Sequence, residues 1–136
     1  MVGNRKMEYS CDVVVRWYEC DTYGHVNNAV YLHYLEFARE NYMRDLGISF
    51  NDMRATGTGL VVARVSIDYR RPAMPEDRLT IITRPLKRTR IGGVLGQRVL
   101  RKDTLVAEAE VTWVSVNAQG RPAPLPATFD REGLSP

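Results

Sequence analysis

The sequence predicts an α+β fold: one long buried helix wrapped by a curved five-stranded antiparallel sheet. Three observations carry that prediction. Residues 28–46 form one helical stretch coated with apolar side chains around most of its circumference, and five stretches rich in β-branched and aromatic residues flank it. The gaps between the last four stretches are short, so neighbouring strands should run antiparallel.

Taken in order, residues 8–18 read as the first strand and residues 19–27 (ECDTYGHVN) as a loop. Asn27 or Asn28 can cap the helix over 28–46, and Gly47 ends it. Along that helix His33, Glu36, Glu40 and Arg44 make only a narrow polar stripe, so the helix should be enclosed. Strands follow over 59–71, 78–86, 90–101 and 105–117. Gly92, Gly93 and Gly96 within the fourth strand mark a bulge or a close backbone approach. Tyr31, Tyr34, Trp17 and Trp113 read as core aromatics. Residues 119–136 are Pro-rich and read as a surface extension.

With 136 residues, 44% hydrophobic and 26% charged, the chain has the size and composition of one globular domain over 1–136, with its core about 8–118. No apolar run reaches membrane-span length, and charges break every apolar stretch in the first twenty residues. A soluble, cytoplasmic protein is expected. Cys11 and Cys20 at the ends of an extended strand would lie about 30 Å apart, too far to bridge.

The net charge of +3 is unevenly spread. Seven basic residues and no acid lie between Arg84 and Lys102, while the other 12 basic residues are outnumbered by 16 acids. Such a patch fits a small phosphate-bearing ligand better than a nucleic-acid duplex, which calls for a whole basic face. A strand with an Arg-rich solvent face is the other reading of the same residues.

Chemistry concentrates in Asp21-Thr-Tyr-Gly-His25-Val-Asn27-Asn28, directly before the helix. Unpartnered backbone N–H groups at a helix start favour negative charge and can form an oxyanion hole. A carboxylate beside them can attack a carbonyl or deprotonate water, the combination that acyl transfer to water requires. The same residues could equally serve as a turn aspartate, a loop histidine and two caps. Glu36, eight residues beyond Asn28, lies about 12 Å further along the helix axis, too deep to share that site in its own chain.

The run Trp17-Tyr-Glu-Cys-Asp21 through Glu36-Phe-Ala-Arg39-Glu resembles the opening of the hotdog-fold acyl thioesterases of the 4-hydroxybenzoyl-CoA thioesterase type. The likeness continues through Asp68-Tyr-Arg-Arg-Pro-Ala, Asp77-Arg-Leu-Thr-Ile, Gly96-Gln97-Arg98 and Ala107-Glu-Ala-Glu-Val-Thr-Trp-Val, covering about residues 10–118. The resemblance implies an acyl-CoA thioesterase with a catalytic Asp21 and the Asn28 backbone amide polarising the thioester carbonyl. It further implies that His25 and Asn27 shape the loop or orient water, that Tyr31 lines the substrate site, and that Lys87, Arg88 and Arg90 meet coenzyme A phosphates. No metal or other cofactor is implied, coenzyme A entering only as part of the substrate. The resemblance also implies a thioester carried by coenzyme A or an acyl carrier protein, and a homodimer, with such dimers often paired again into tetramers. The string His-Val-Asn-Asn is also similar to plant acyl-carrier-protein thioesterases, although Tyr23 stands where their loop has an asparagine. A non-catalytic acyl-CoA-binding protein and a hotdog hydratase or dehydratase are the alternative functions.

Overall fold

The computed structural model describes residues 8–136. The first seven, part of the domain expected over 1–136, lie outside the described residues. The chain forms β1 (Tyr9–Val14), α1 (Val30–Asp45), α2 (Phe50–Ala55), β2 (Gly59–Tyr69), β3 (Arg78–Arg88), β4 (Gly92–Arg101) and β5 (Thr104–Val116). The strands make one five-stranded sheet in the order β1-β3-β4-β5-β2, every pair antiparallel. Its inner face is built by alternation: Leu79 and Ile81 on β3, Leu95 and Val99 on β4, and Ala109, Val111 and Trp113 on β5 are buried. Against it α1 buries Tyr31, Tyr34, Leu35, Ala38, Tyr42 and Met43. Each fully buried large apolar side chain contributes about 1.5–3 kcal/mol, so this interface is the main tie between helix and sheet.

Helix α1 packs over β1 and β3, on one side of the sheet. The edge strand β2 is left largely uncovered. Its register against β5 shifts between Val62 and Arg64. That bulge changes the phase of the alternation, so Val62 opposite Trp113 and Val65 opposite Val111 both face inward.

Six expectations need correction. The first strand stops at Val14, because Trp17–Glu19 form a single 3₁₀ turn in which the Arg16 N–H donates to Glu19 Oε1 at 2.9 Å. The separation drawn from one extended strand between Cys11 and Cys20 therefore loses its basis, although both cysteines are free. Trp17 is 72% exposed instead of buried. The helix is not enclosed on every side in the single chain, for Leu32 and Phe37 stay 44% and 45% exposed on the face turned from the sheet. Short α2, left unassigned in the sequence, is capped by the Ser49 hydroxyl accepting from the Asp52 N–H.

The last correction is the tail. Residues 119–136 do not trail over the surface; Leu125, Phe129 and Leu134 are buried with Tyr42, Met43 and Trp113 in a second core cluster. The expected close approach at the glycines is present. A side chain at Gly93 would meet the Lys87 carbonyl at 2.6 Å and the Trp113 indole at 3.0 Å. Among the described residues no helix is long and apolar enough to cross a membrane.

Candidate active site

The loop ahead of α1 is a closed hairpin. Cys20 pairs with Val26 across it, the Asp21 N–H donates to the His25 carbonyl at 2.7 Å, and Gly24, at φ +79°, turns the chain and donates to the Asp21 carbonyl. The Asp21 side chain belongs to the same construction. Its Oδ1 accepts from the Tyr23 N–H at 2.9 Å and from the His25 N–H at 3.3 Å. Among the described residues Oδ2 accepts nothing, which leaves one carboxylate oxygen, on a carboxylate whose orientation is fixed, free for chemistry.

Asn27 also organises the entry to the helix, its Oδ1 accepting from the Ala29 N–H at 2.8 Å and its carbonyl from the Val30 N–H at 2.9 Å. The Asn28 N–H, between them, donates to no acceptor among the described residues. Its carbonyl accepts from the Tyr69 hydroxyl at 2.9 Å. Tyr69 stacks edge-on against Tyr31, with ring centroids 5.3 Å apart, so the first turn of α1 is clamped to the end of β2. Burial pushes the Tyr31 phenol upward, and it stays a neutral hydroxyl at physiological pH.

Asp21, His25, Asn28 and Tyr31 thus line one cleft of about 360 Å³, completed by Val26, Tyr69, Arg70, Arg71 and Pro72. Arg70 is held by Glu108 at 2.6 Å, while Arg71 makes no ion pair among the described residues. The structure does not bring the basic turn to this cleft. Lys87, Arg88 and Arg90 lie at the opposite end of the strands, about 25–30 Å away by strand rise and spacing. Arg88 is engaged there by Asp130 at 2.9 Å and lies 5.2 Å over the Trp113 ring. Glu36, as its depth on the helix implied, lines a different cavity.

Sequence reasoning missed Glu19, Tyr69, Arg70 and Arg71. Only the two arginines carried a signal, as adjacent cations between a strand end and Pro72. Glu19 matters through contacts that span the fold. Its Oε1 accepts from the Tyr34 hydroxyl at 2.7 Å and its carbonyl from the Asn27 N–H at 2.9 Å, tying both arms of the loop to the second turn of α1. Burial and the Glu19 carboxylate together hold the Tyr34 phenol far above its ordinary range. Glu19→Ala keeps the carbonyl but strands the Tyr34 hydroxyl and the Arg16 N–H, and should cost about 1–3 kcal/mol, read as a denaturant midpoint. It should also lower kcat about tenfold by loosening the Asp21 loop. An unchanged midpoint and rate would show that the tie carries no load.

A family model described as the thioesterase-like superfamily matches residues 15–132. The chain belongs to that superfamily. It is 36% identical over 113 residues to the long-chain acyl-CoA thioesterase FadM of Escherichia coli, covering 82% of this chain and 85% of FadM. It is 28% identical to the chloroplastic acyl-acyl carrier protein thioesterase ATL2 of Arabidopsis thaliana, covering 88% of this chain but 64% of that longer protein. Among solved structures, a probable thioesterase from Bartonella henselae superposes with a TM-score of 0.81 at 28% identity, covering 88% of this chain and 99% of that one. As a member of the superfamily the chain is a thioester hydrolase, and its sheet and helix form the hotdog thioesterase fold.

Proposed function

We propose that the chain hydrolyses acyl-CoA thioesters to a carboxylic acid and free coenzyme A at the Asp21 cleft. The observation that carries this reading is that a carboxylate with one free oxygen and an unpartnered backbone N–H, at Asn28, line the same cleft ahead of a packed helix. The Asn28 N–H polarises the thioester carbonyl and takes the developing oxyanion. Asp21 Oδ2 either removes a proton from water as its oxygen attacks the carbonyl carbon, or attacks that carbon itself to give an anhydride that water then cleaves. In both routes the C–S bond breaks and the thiolate leaves with a proton from solvent or from Asp21. His25 and Asn27 act on the loop through the backbone contacts described above, and Tyr31 forms the wall against which the acyl group begins.

The relatives support the thioester class and differ on the carrier, coenzyme A for FadM and acyl carrier protein for ATL2 by their names. The basic turn favours coenzyme A, provided a second copy supplies it. Pairing β2 with β2 of another copy in antiparallel fashion reverses the partner's ends, so its basic turn falls at the same end as Asp21. Four strand spacings separate the two, about 20 Å, a span suited to an extended pantetheine arm. A homodimer built on this edge, paired again into a tetramer, therefore belongs to the reading, as does the 4-hydroxybenzoyl-CoA thioesterase type of site.

Thiol release from acyl-CoAs tests the activity and separates it from non-catalytic binding. Because Arg88 is engaged with Asp130, the informative variant removes Lys87 and Arg90. The double alanine variant should raise KM for acyl-CoA about threefold to tenfold, with kcat nearly unchanged, and the effect should shrink in high salt. Acyl-pantetheine, which lacks the nucleotide phosphates, should be hydrolysed equally by both proteins. An equal loss on the two substrates would remove the phosphate role.

A further inference from the structure

The connection from β2 to β3 carries a short strap, residues 72–77, that touches both arms of the Asp21 hairpin through the backbone. On the incoming arm the Val15 N–H donates to the Asp77 carbonyl at 2.9 Å, and the Val15 carbonyl accepts from the Glu76 N–H at 2.8 Å. On the outgoing arm the Val26 N–H donates to the Ala73 carbonyl at 2.8 Å. Ala73 is fully buried, in one core cluster with Val26 and Tyr31.

The strap does not hold its shape by local preference alone. Residues 74–77 close a tight turn in which the Asp77 N–H donates to the Met74 carbonyl at 3.0 Å, with Pro75 and Glu76 at its corner. Glu76 has φ +73° there, a left-handed backbone that suits glycine and strains a glutamate. A clasp offsets that strain. Asp77 Oδ2 accepts from the Met74 N–H at 2.9 Å and from Arg101 Nη1 at 3.1 Å, and the same Arg101 nitrogen donates to the Pro72 carbonyl at 2.9 Å. Arg101, the last residue of β4, thereby joins the two ends of the strap. Burial raises the Tyr31 phenol, while the Ala73 backbone and the Arg101 charge act on it in the opposite direction, so the clasp lies within electrostatic reach of the cleft wall.

We propose that Arg101 is a positioning residue for the hydrolysis: bound to Asp77 and to the Pro72 carbonyl, it locks the strap that sets the Asp21 carboxylate against the Asn28 N–H. The proposal deepens the thioesterase reading and rests on it. Arg101 is not part of the lining of the Asp21 cleft, so it acts through the strap. The contacts form one chain. Arg101 fixes Pro72 and Asp77, the strap fixes Val15 and Val26, and these bracket the hairpin whose Tyr23 and His25 amides hold Asp21 Oδ1. Movement of either arm displaces Oδ2 from its place beside Asn28, and a misplacement of about 1 Å can cost about 100-fold in rate.

Arg101→Met removes both contacts and keeps an apolar stem. In protein that is folded by circular dichroism, kcat for acyl-CoA should fall about tenfold or more with KM within about twofold, because nothing that binds substrate is touched. Both contacts leave one nitrogen, so a lysine ammonium can make them, and Arg101→Lys should bring kcat back to within about threefold of the wild type. Glu76→Gly takes up the left-handed turn without a clasp. Alone it should leave kcat unchanged, and combined with Arg101→Met it should raise kcat about threefold or more over Arg101→Met.

An unchanged kcat in folded Arg101→Met, or a loss that neither Arg101→Lys nor Glu76→Gly recovers, would overturn the role. A raised KM at constant kcat would do the same, by making Arg101 a substrate contact. Should Arg101→Met fail to fold, Asp77→Asn keeps an acceptor for Met74 and weakens the ion pair, and its kcat should fall about threefold; no fall overturns the role. If the wild type hydrolyses no acyl-CoA, the thioesterase reading fails by itself, and the clasp is judged on Cys20, a half-buried thiol in the hairpin. In a Cys11→Ser background, Arg101→Met, or Asp77→Asn in its place, should speed alkylation of Cys20 by iodoacetamide about threefold or more, and an equal rate would show that the clasp holds nothing.

Discussion

Asp21→Asn should lower acyl-CoA hydrolysis by about 10²- to 10⁴-fold and leave the fold unchanged. The separation of the two effects follows from how the carboxylate is divided. Asp21 Oδ1 is used by the loop, accepting from the Tyr23 and His25 amides, and the carboxamide oxygen of asparagine can accept both. Oδ2 becomes an NH₂ group, which neither attacks a carbonyl nor takes a proton from water. Loss of rate with an unchanged melting curve is therefore the expected pair of results, read by thiol release and circular dichroism. Turnover near that of the wild type would dismiss Asp21 from the chemistry. Glu36→Gln is the control for a helix carboxylate. Glu36 lines a separate cavity with Met43, Phe50 and Trp113 and not the cleft, so its loss should be mild. Abolished turnover in a folded Glu36→Gln would move the chemistry onto the helix.

How far the sequence carried this site depended on whether contacts were local. Asp21, His25, Asn27 and Asn28 were legible because eight consecutive residues close one hairpin onto the start of one helix, and the physics of helix starts applies before any tertiary contact is known. The sheet and the main helix were legible for a similar reason, since periodicity survives in β3, β4, β5 and α1 without reference to neighbours. Glu19 was not, because its partner Tyr34 lies a helix turn beyond the loop and their meeting depends on where α1 docks. Helix α2, at six residues, is too short for a period to emerge. The basic segment was visible as charge, but its end of the sheet was not, since that follows from strand order. The coating of α1 overstated its burial for a related reason: Leu32 and Phe37 face out of the single chain, where composition alone could not place them.

The tail gives the second large effect. Ending the chain at Pro124 should lower the melting midpoint by about 10 °C or more, corresponding to about 3 kcal/mol or more for a domain of this size. Proline content suggested a dispensable extension, yet the segment contributes Leu125, Phe129 and Leu134 to the core around Tyr42 and Trp113. Three such side chains amount to about 5–9 kcal/mol of burial, and the entropy of ordering the segment offsets part of that sum. Polar contacts fix its path. The Tyr42 hydroxyl donates to the Gly133 carbonyl at 2.6 Å, and Arg131 donates to the Leu46 and Gly47 carbonyls at 3.0 and 3.2 Å, capping the C-terminal end of α1. Removing the tail would therefore expose apolar core and uncap the helix at once. Leu134→Ala isolates the packing part and should cost about 2–5 kcal/mol. If the shortened chain melted within a degree or two of the full one, the tail would be a cover and not part of the core. The asymmetry of the two losses also locates the site. Asp21 lies beyond the far end of α1 from the tail, so a shortened chain that still folds at low temperature should keep its turnover on short acyl groups, whereas Asp21→Asn loses turnover at every temperature.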